Sequence, residues 1–303
     1  MRRILVGTDF STAGTRAVQV AFSFAQRTGA SLRVVHVVPP RRWLMGLGRK
    51  DLSTLSHVHR RASAALKRLA EKLDPSRQNE LSTGLVSGAA SVAIERAADD
   101  FDADLLVIGA RGEHQVRGRK LTLGGTALKL LSTTSIPLLV VRKTGQRARS
   151  ILAAVDLTPV SKDVLHWART SAAEGEKLIV FHAYGIPFAE RLDAYGVAKE
   201  AIQQYTREEH DERERKLRAL AGARGVRLII ERGDAIDLLF KHIEKLEPGL
   251  IVVGKHSKRR RSAGWSGSLA RHVALFAPGN VLIVVPRRSR RLTALLMRER
   301  RGM

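Results

Sequence analysis

The chain has 303 residues, 53 of them Lys or Arg against 29 Asp or Glu, for a net charge of +24 at neutral pH. Its 44% hydrophobic content suits two ordinary folded domains and excludes a disordered polymer. The absence of cysteine excludes disulfides, thiol catalysis and thiolate metal sites, and the positive excess draws polyanions such as nucleotides, nucleic acid, anionic lipid or acidic proteins.

In chain order, the first element is "RRILVGTDFS" (2–11), a short apolar run closed by Asp9. That run is too short for an export signal, and no later stretch approaches the length of a bilayer span, so a cytoplasmic protein is expected. Ser11 stands where an N-cap belongs, ahead of a helix-length segment over 12–28. A second strand, "LRVVHVV" (32–38), carries His36 at its centre. Helical segments follow over 53–73 and 88–100, then the strand in "DADLLVIGARG" (102–112), a basic loop with Arg111, Arg117, Arg119 and Lys120, and the step Gly124-Gly125-Thr126 that opens a helix over 125–134. "SIPLLVVR" (135–142) is the last strand of this half.

The pattern then begins again. "RSILAAVDLT" (149–158) repeats the first strand with Asp156 and Thr158, the latter a candidate N-cap, and "KLIVFHAY" (177–184) repeats the second with His182. "EPGLIVVGKHS" (247–257) and "GNVLIVVP" (279–286) match the fourth and fifth, and the helical segments fall near 159–174, 197–222, 235–246 and 268–277. Such self-similarity describes two copies of one domain in tandem, over 1–146 and 147–287, with a basic tail over 288–303. Continuous Val/Ile/Leu runs suit strands covered on both faces. Their alternation with helices predicts an α/β fold: two tandem, doubly wound, parallel five-stranded sheets flanked by helices, Rossmann-like in plan.

In such sheets ligands bind beyond the carboxyl ends of the strands, near the switch point. At those ends stand Asp9 and Asp156, then Gly109 and Gly254, each glycine followed by a basic loop and a Gly-Gly or Gly-Ser step. Glycine lets the backbone approach a phosphate, helix-start amides carry partial positive charge, and Thr126 or Ser268 adds a hydroxyl donor. The stretch "VVGKHSKRRRSAGWSGS" (252–268) thus reads as a phosphate cradle. A P-loop G-x4-G-K-[ST] is absent, and the first turn lacks G-x-G-x-x-G, which argues against P-loop hydrolase and dinucleotide sites.

The strand-end Asp with G-x2-G-x9-G-[ST] after the fourth strand resembles the universal stress protein family, and the resemblance spans about residues 2–287. "TDFS" at Thr8–Ser11 and "HV" at His36-Val37 match that family's pattern. The resemblance implies the adenine nucleotide alpha hydrolase-like variant of the fold. In the members that bind ATP, with or without Mg, the Asp contacts the nucleoside, the backbone after the second-strand His contacts adenine, and the glycine loop with its Gly-Ser step holds ribose and phosphates. Carried over, this nominates Asp9, Val37, Gly109, Gly112, Gly124, Gly125 and Thr126 in the first copy, and Asp156, Ala183, Gly254, Ser257, Gly267 and Ser268 in the second. Both copies depart from the pattern. Ser257 replaces the second glycine, at a cost of roughly 1–3 kcal/mol if that position needs positive φ. The first loop is longer, and counting back from Pro137 favours Gly124 as the glycine of the step, with Gly125 where the family has a hydroxyl.

Other features have plainer readings. His36 and His182 suit core positions, His57 and His59 a solvated helix face, and "REEHDERERKLR" (207–218) an exposed helix paired internally, as by Glu209 with Arg213. The second basic loop, Lys255 and Lys258 to Arg261, steers a triphosphate, binds a longer polyanion or only coats the surface. Aromatic residues at 5%, with Trp265 alone in those loops, give nucleic-acid stacking little support. The tail holds seven Arg against Glu299 over 287–303, with Leu292, Leu295 and Leu296 on one helical face: a frayed end, or an amphipathic helix for a partner or membrane surface. No catalytic constellation is legible, and for slow ATP hydrolysis by a bound water, which the sequence leaves open, no residue stands out as the base. The expected function is a nucleotide-responsive regulatory module of the stress response that acts through an unidentified protein partner. Its copies would form an intramolecular pseudo-dimer, with a homodimer of chains also open. The alternatives are a member without nucleotide that serves as an interaction scaffold, and a basic nucleic-acid-associated protein.

Overall fold

The computed structural model describes residues 1–38, 52–76, 78–111, 123–143, 150–185, 196–222, 225–255 and 268–286. The first repeat runs β1 (Arg3–Thr8), α1 (Thr12–Thr28), β2 (Ser31–Val38), α2 (Leu52–Leu73), β3 (Leu81–Ser87), α3 (Ala90–Asp100), β4 (Leu105–Gly109), α4 (Gly125–Thr133) and β5 (Leu138–Val141). The second runs β6 (Ser150–Ala154), α5 (Val160–Ser171), β7 (Lys177–Tyr184), α6 (Lys199–Ala221), β8 (Val226–Arg232), α7 (Ala235–Leu246), β9 (Leu250–Gly254), α8 (Ser268–Phe276) and β10 (Asn280–Val284). The basic tail lies outside the described residues, as do Arg117, Arg119, Lys120, Lys258 to Arg261 and Trp265.

The apolar runs form strands because helices cover both faces of the sheet. Ile4 and Val6, with Leu105 and Val107, pack against Ala17 and Val18 of α1, while Leu5, Leu106 and Ile108 pack against Ile94 of α3 and Ala127 of α4. The second repeat does the same with α5 and α6 on one side and α7 and α8 on the other. Within each repeat the pairing is parallel, and β1 and β6 each sit between their second and fourth strands, which makes them the switch points.

The two five-stranded sheets are continuous. The order is β3-β2-β1-β4-β5-β10-β9-β6-β7-β8, and the central pair β5–β10 is antiparallel, with Leu139 opposite Leu282. This pairing removes the one open edge of each repeat that faces the other. It also turns the repeats head to tail, so their strands end at opposite edges of the sheet. Asn280 closes the seam: its Oδ1 accepts from the Arg142 and Lys143 amides at 2.8 and 3.0 Å, and its Nδ2 donates to Lys143 O at 3.1 Å. Away from the sheet, Arg27 Nη1 at the end of α1 donates to Ser171 O at the end of α5, at 2.8 Å.

Helix α6 differs in part from the fully solvated face expected of it. Glu209 and Arg213 do pair, as do Glu212 with Lys216 and Glu214 with Arg218. Yet the Arg213 guanidinium also lies 4.6 Å above the Tyr184 ring, and His210 Nδ1 is 3.2 Å from the Tyr184 hydroxyl. A long stem lets an arginine cover an aromatic ring while its charge stays wet. Among the described residues no helix is long and apolar enough to cross a bilayer.

Because Leu139, Val141, Leu282 and Val284 share one core layer, damage on one side of the seam is expected to reach the other. Leu139→Ala, at a fully buried position, is predicted to cost about 2–5 kcal/mol. In a Trp43→Phe, Trp265→Phe background the urea melt followed through Trp167, which lies in the second repeat, will shift to lower midpoint; an unmoved Trp167 transition would contradict a shared core.

Candidate functional site

The turn after the first strand of each repeat is built around the strand-end carboxylate. Asp9 Oδ1 accepts from the Ser11 amide at 3.1 Å and from Ser11 Oγ at 2.5 Å, while Ser11 Oγ accepts from the Gly14 amide at 3.0 Å and caps α1. Asp156 Oδ1 accepts from the Thr158 amide at 3.1 Å and from Thr158 Oγ1 at 2.6 Å. Thr158 is therefore not the cap expected of it. Helix α5 starts one residue later, after Pro159, whose fixed φ suits an opening turn, and the Thr158 hydroxyl is spent on Asp156. The residue after each Asp is left-handed, Phe10 at φ 62° and Leu157 at φ 61°, so both copies store backbone strain at this turn.

One position beside the carboxylate carries no signal in the sequence. A Cβ on Gly14 would lie 2.6 Å from Asp9 Oδ1, so only glycine lets α1 start this close to the carboxylate. Its counterpart is Ser161, fully buried, whose hydroxyl donates to Asp156 Oδ1 at 3.1 Å and accepts from the Asp156 amide at 3.2 Å. A contact that would clash in one copy is a hydrogen bond in the other.

The two histidines stand beside the same turn. His36 Nδ1 is 2.8 Å from Thr8 O and His182 Nδ1 is 2.9 Å from Val155 O, so each ring fixes the strand end just before the Asp. His182 is buried, as expected; His36 is half-buried and its ring packs on Phe10 at 4.4 Å. The next residues, Val37 and Ala183, lie past the last partners that β1 and β6 offer, so their main chain borders the cleft on that side. In the second repeat Ala183 is in register with Glu231, and the Glu231 carboxylate meets His242 of α7 at 2.8 Å. The first repeat has Val86 there, opposite Val37.

The glycines that end the fourth strands have a packing duty. A Cβ on Gly109 would stand 2.8 Å from the backbone of Ala13 in α1, and one on Gly254 would stand 2.9 Å from Val160 Cγ1 in α5. In the first copy the loop closes at its base, where the Gly124 amide donates to Ala110 O at 2.8 Å. Gly124 is the N-cap of α4 and makes no side-chain cap bond, and the space around a Cβ on Gly125 is open. Helix α4 begins at Gly125, with Thr126 one residue into it, and α8 begins at Ser268. Gly112, Ser257 and Gly267, and the Ser268 side chain, lie outside the described residues. The Lys255 ammonium binds carbonyls at the end of α4, a concentration of acceptors that the helix itself leaves unsatisfied.

The structure thus brings together Asp9, Gly14, Ala13, Gly109, Ala110 and Gly124 in one cleft, and Asp156, Ser161, Val160 and Gly254 in the other. A carboxylate-closed turn and a glycine-ended strand at each switch point, twice in one chain, define a tandem α/β protein with one cleft per repeat. The model of the universal stress protein family matches twice, over residues 1–142 and 147–285, and the chain belongs to that family. It is 33% identical over 141 residues, 46% of its own length, to 98% of the "Universal stress protein in QAH/OAS sulfhydrylase 3'region" of Thermus aquaticus. Among solved structures, a functionally unknown protein from Pseudomonas aeruginosa PAO1 is similar with a TM-score of 0.67 at 20% identity, over 95% of this chain and 94% of that one. A universal stress protein from Archaeoglobus fulgidus DSM 4304 has a TM-score of 0.65 at 15% identity, over 93% of this chain and 98% of that one. The two structural likenesses extend across both repeats and concern the fold.

Two outcomes are expected. Gly14→Ala forces its methyl against Asp9 Oδ1 and will lower stability by about 1–3 kcal/mol, read by urea denaturation, whereas Ser161→Ala removes a bond without a clash and will cost about 1 kcal/mol. Burial holds the His182 imidazole below its ordinary pKa, outweighing the bond to the Val155 carbonyl that pulls the other way. The unfolded chain therefore takes up this proton first, so the stabilisation is full above about pH 6.5 and is lost as pH falls. His182→Asn, whose amide can still donate to Val155 O, will flatten the decline in urea midpoint between about pH 7 and about pH 5.

Proposed function

We propose that the chain binds ATP, with Mg as its counter-ion, at the carboxyl ends of β1 and β6, and acts as a regulatory module of the cytoplasmic stress response. The reading is carried by one observation: a strand-end carboxylate and a glycine-ended strand occur together at both switch points of a universal stress protein, and in the first they are joined by a glycine-led helix start. The residues fit the ligand. The start of α4 has no side chain in the place an anion would take, and helix-start amides favour phosphate. The main chain of Val37 and Ala183, past the ends of β1 and β6, offers amides and carbonyls to a base edge. Asp9 and Asp156 each commit Oδ1 to the turn, which holds the carboxylate still for a ribose hydroxyl. ATP would then order the basic loop and alter a surface that a partner reads.

A second reading, a member without nucleotide that acts as a scaffold, is favoured in the first repeat by the Gly124 bond to Ala110 O, which spends an amide that a phosphate would use. Native mass spectrometry separates the two, since co-purified ATP contradicts the scaffold. Calorimetric titration with Mg-ATP is expected to give heat in the intact protein. Asp9→Ala and Asp156→Ala will each weaken one class of site about tenfold, or about 1.4 kcal/mol. No heat from the intact protein overturns the nucleotide reading.

A further inference from the structure

The head-to-tail seam puts a strand end of each repeat, β9 in the second and β5 in the first, beside the far end of the other repeat's cradle helix. Helix α4 runs opposite to its own strands, so its last turn lies at the edge where the strands of the second repeat end. From that edge Lys255, directly after Gly254, donates to Leu131 O at 2.8 Å, Ser132 O at 3.1 Å and Thr134 O at 3.4 Å. From the opposite edge Arg142, directly after β5, donates through Nη2 to Ala274 O at 2.7 Å and Leu275 O at 2.9 Å in the last turn of α8. Neither α4 nor α8 has a basic residue in its own last turn. Each therefore takes from the other repeat the cation that its terminal carbonyls and dipole favour.

These are not copies of one residue. By strand alignment Lys255 corresponds to Ala110 and Arg142 to Pro286, so the same contact is supplied from two different strand ends. Both cations are half-buried and both are anchored through their main chain, Lys255 N to Val284 O at 2.7 Å and Arg142 N to Asn280 Oδ1 at 2.8 Å. Helix α4 has nine residues, a rod of about 13 Å at the usual rise. A cation on its last turn thus governs how its first turn meets the first cleft. Arg142 is also sensitive to the loop of its own repeat. Burial first, and the Arg111 charge second, bring its pKa down to about 10. It stays charged at neutral pH, and among the described residues its Nη1 is buried with no hydrogen-bond partner. Arg111 follows Gly109 and Ala110 in the first glycine loop, so an anion held there offsets the repulsion that Arg142 feels.

We propose that Lys255 and Arg142 are positioning residues that tie the two clefts together. Each adjoins one repeat's site and holds the cradle helix of the other, so phosphate bound in one cleft alters affinity in its neighbour. The inference rests on the nucleotide reading above and goes beyond it by making the two sites a coupled pair.

The test uses the full chain and Mg-ATP. With the second cleft weakened about tenfold by Asp156→Ala, so that the tighter class of site is the first cleft, Lys255→Met is expected to weaken that class about five- to tenfold, although Lys255 belongs to the second repeat. Lys255→Arg, which keeps donors for the α4 carbonyls, is expected to stay within about twofold. In an Asp9→Ala background Arg142→Met is expected to weaken the second cleft by a similar factor. Hydrogen exchange without nucleotide gives a separate readout: amides of residues 125–134 exchange faster in Lys255→Met. Binding that is present and equal in the Met and parent chains overturns the coupling and leaves the nucleotide reading intact. Absence of heat in the unmodified protein removes both. Should the Met variant fail to fold by circular dichroism, Lys255→Gln takes its place with the same outcomes.

Discussion

The antiparallel pairing of β5 with β10 is the constraint on which the molecule is organised. A five-stranded parallel sheet with helices on both faces still has a bare strand at its centre-facing edge, and such an edge invites pairing with any other chain. Here the second copy of the domain supplies the partner. The pairing is only three residues long in register, yet it carries buried Leu and Val on both faces of the sheet, so the core layers pass from one repeat to the other. Covalent linkage raises the local concentration of the second copy, which favours this intramolecular pairing over one between chains.

The same pairing decides the geometry of the clefts. The strands of the two repeats end at opposite edges, and the residue after β9 and the residue after β5 each reach the other repeat's helix end. The cations between them follow from this. An unsatisfied helix C-terminus is an acceptor cluster looking for a donor, and both repeats present one at the seam.

Much of the fold can be read from the residues. Strands with two covered faces need unbroken apolar runs, and "ILVGT", "LLVIG" and "LIVVG" have no other use; the repeat is visible because the same runs return in the same order. The strand-end Asp and the glycine steps were legible for the same reason. The seam was not, because a strand edge exposes only main-chain groups, which are alike in every sequence. Gly14 was silent because its need for a missing Cβ arises from a carboxylate five residues back that only the fold brings over it. Gly109 was assigned to phosphate approach, though its immediate neighbour is the backbone of Ala13. Lys255 was grouped with the loop cations, since net charge says nothing about where a four-carbon stem ends. Thr158 was misplaced by one residue because Pro159 takes the N-cap position and the Thr158 hydroxyl finds the nearer carboxylate.

Gly14 and Ser161 show what linkage in one polypeptide permits. In an assembly of identical chains every replacement appears on both sides of the symmetry axis, so a side chain that suits one half must suit its mirror position as well. Here a hydroxyl fits against one strand-end carboxylate while the equivalent spot tolerates only hydrogen. The halves are free to differ at the turn beside the strand-end carboxylate without disturbing the common axis about which they are arranged.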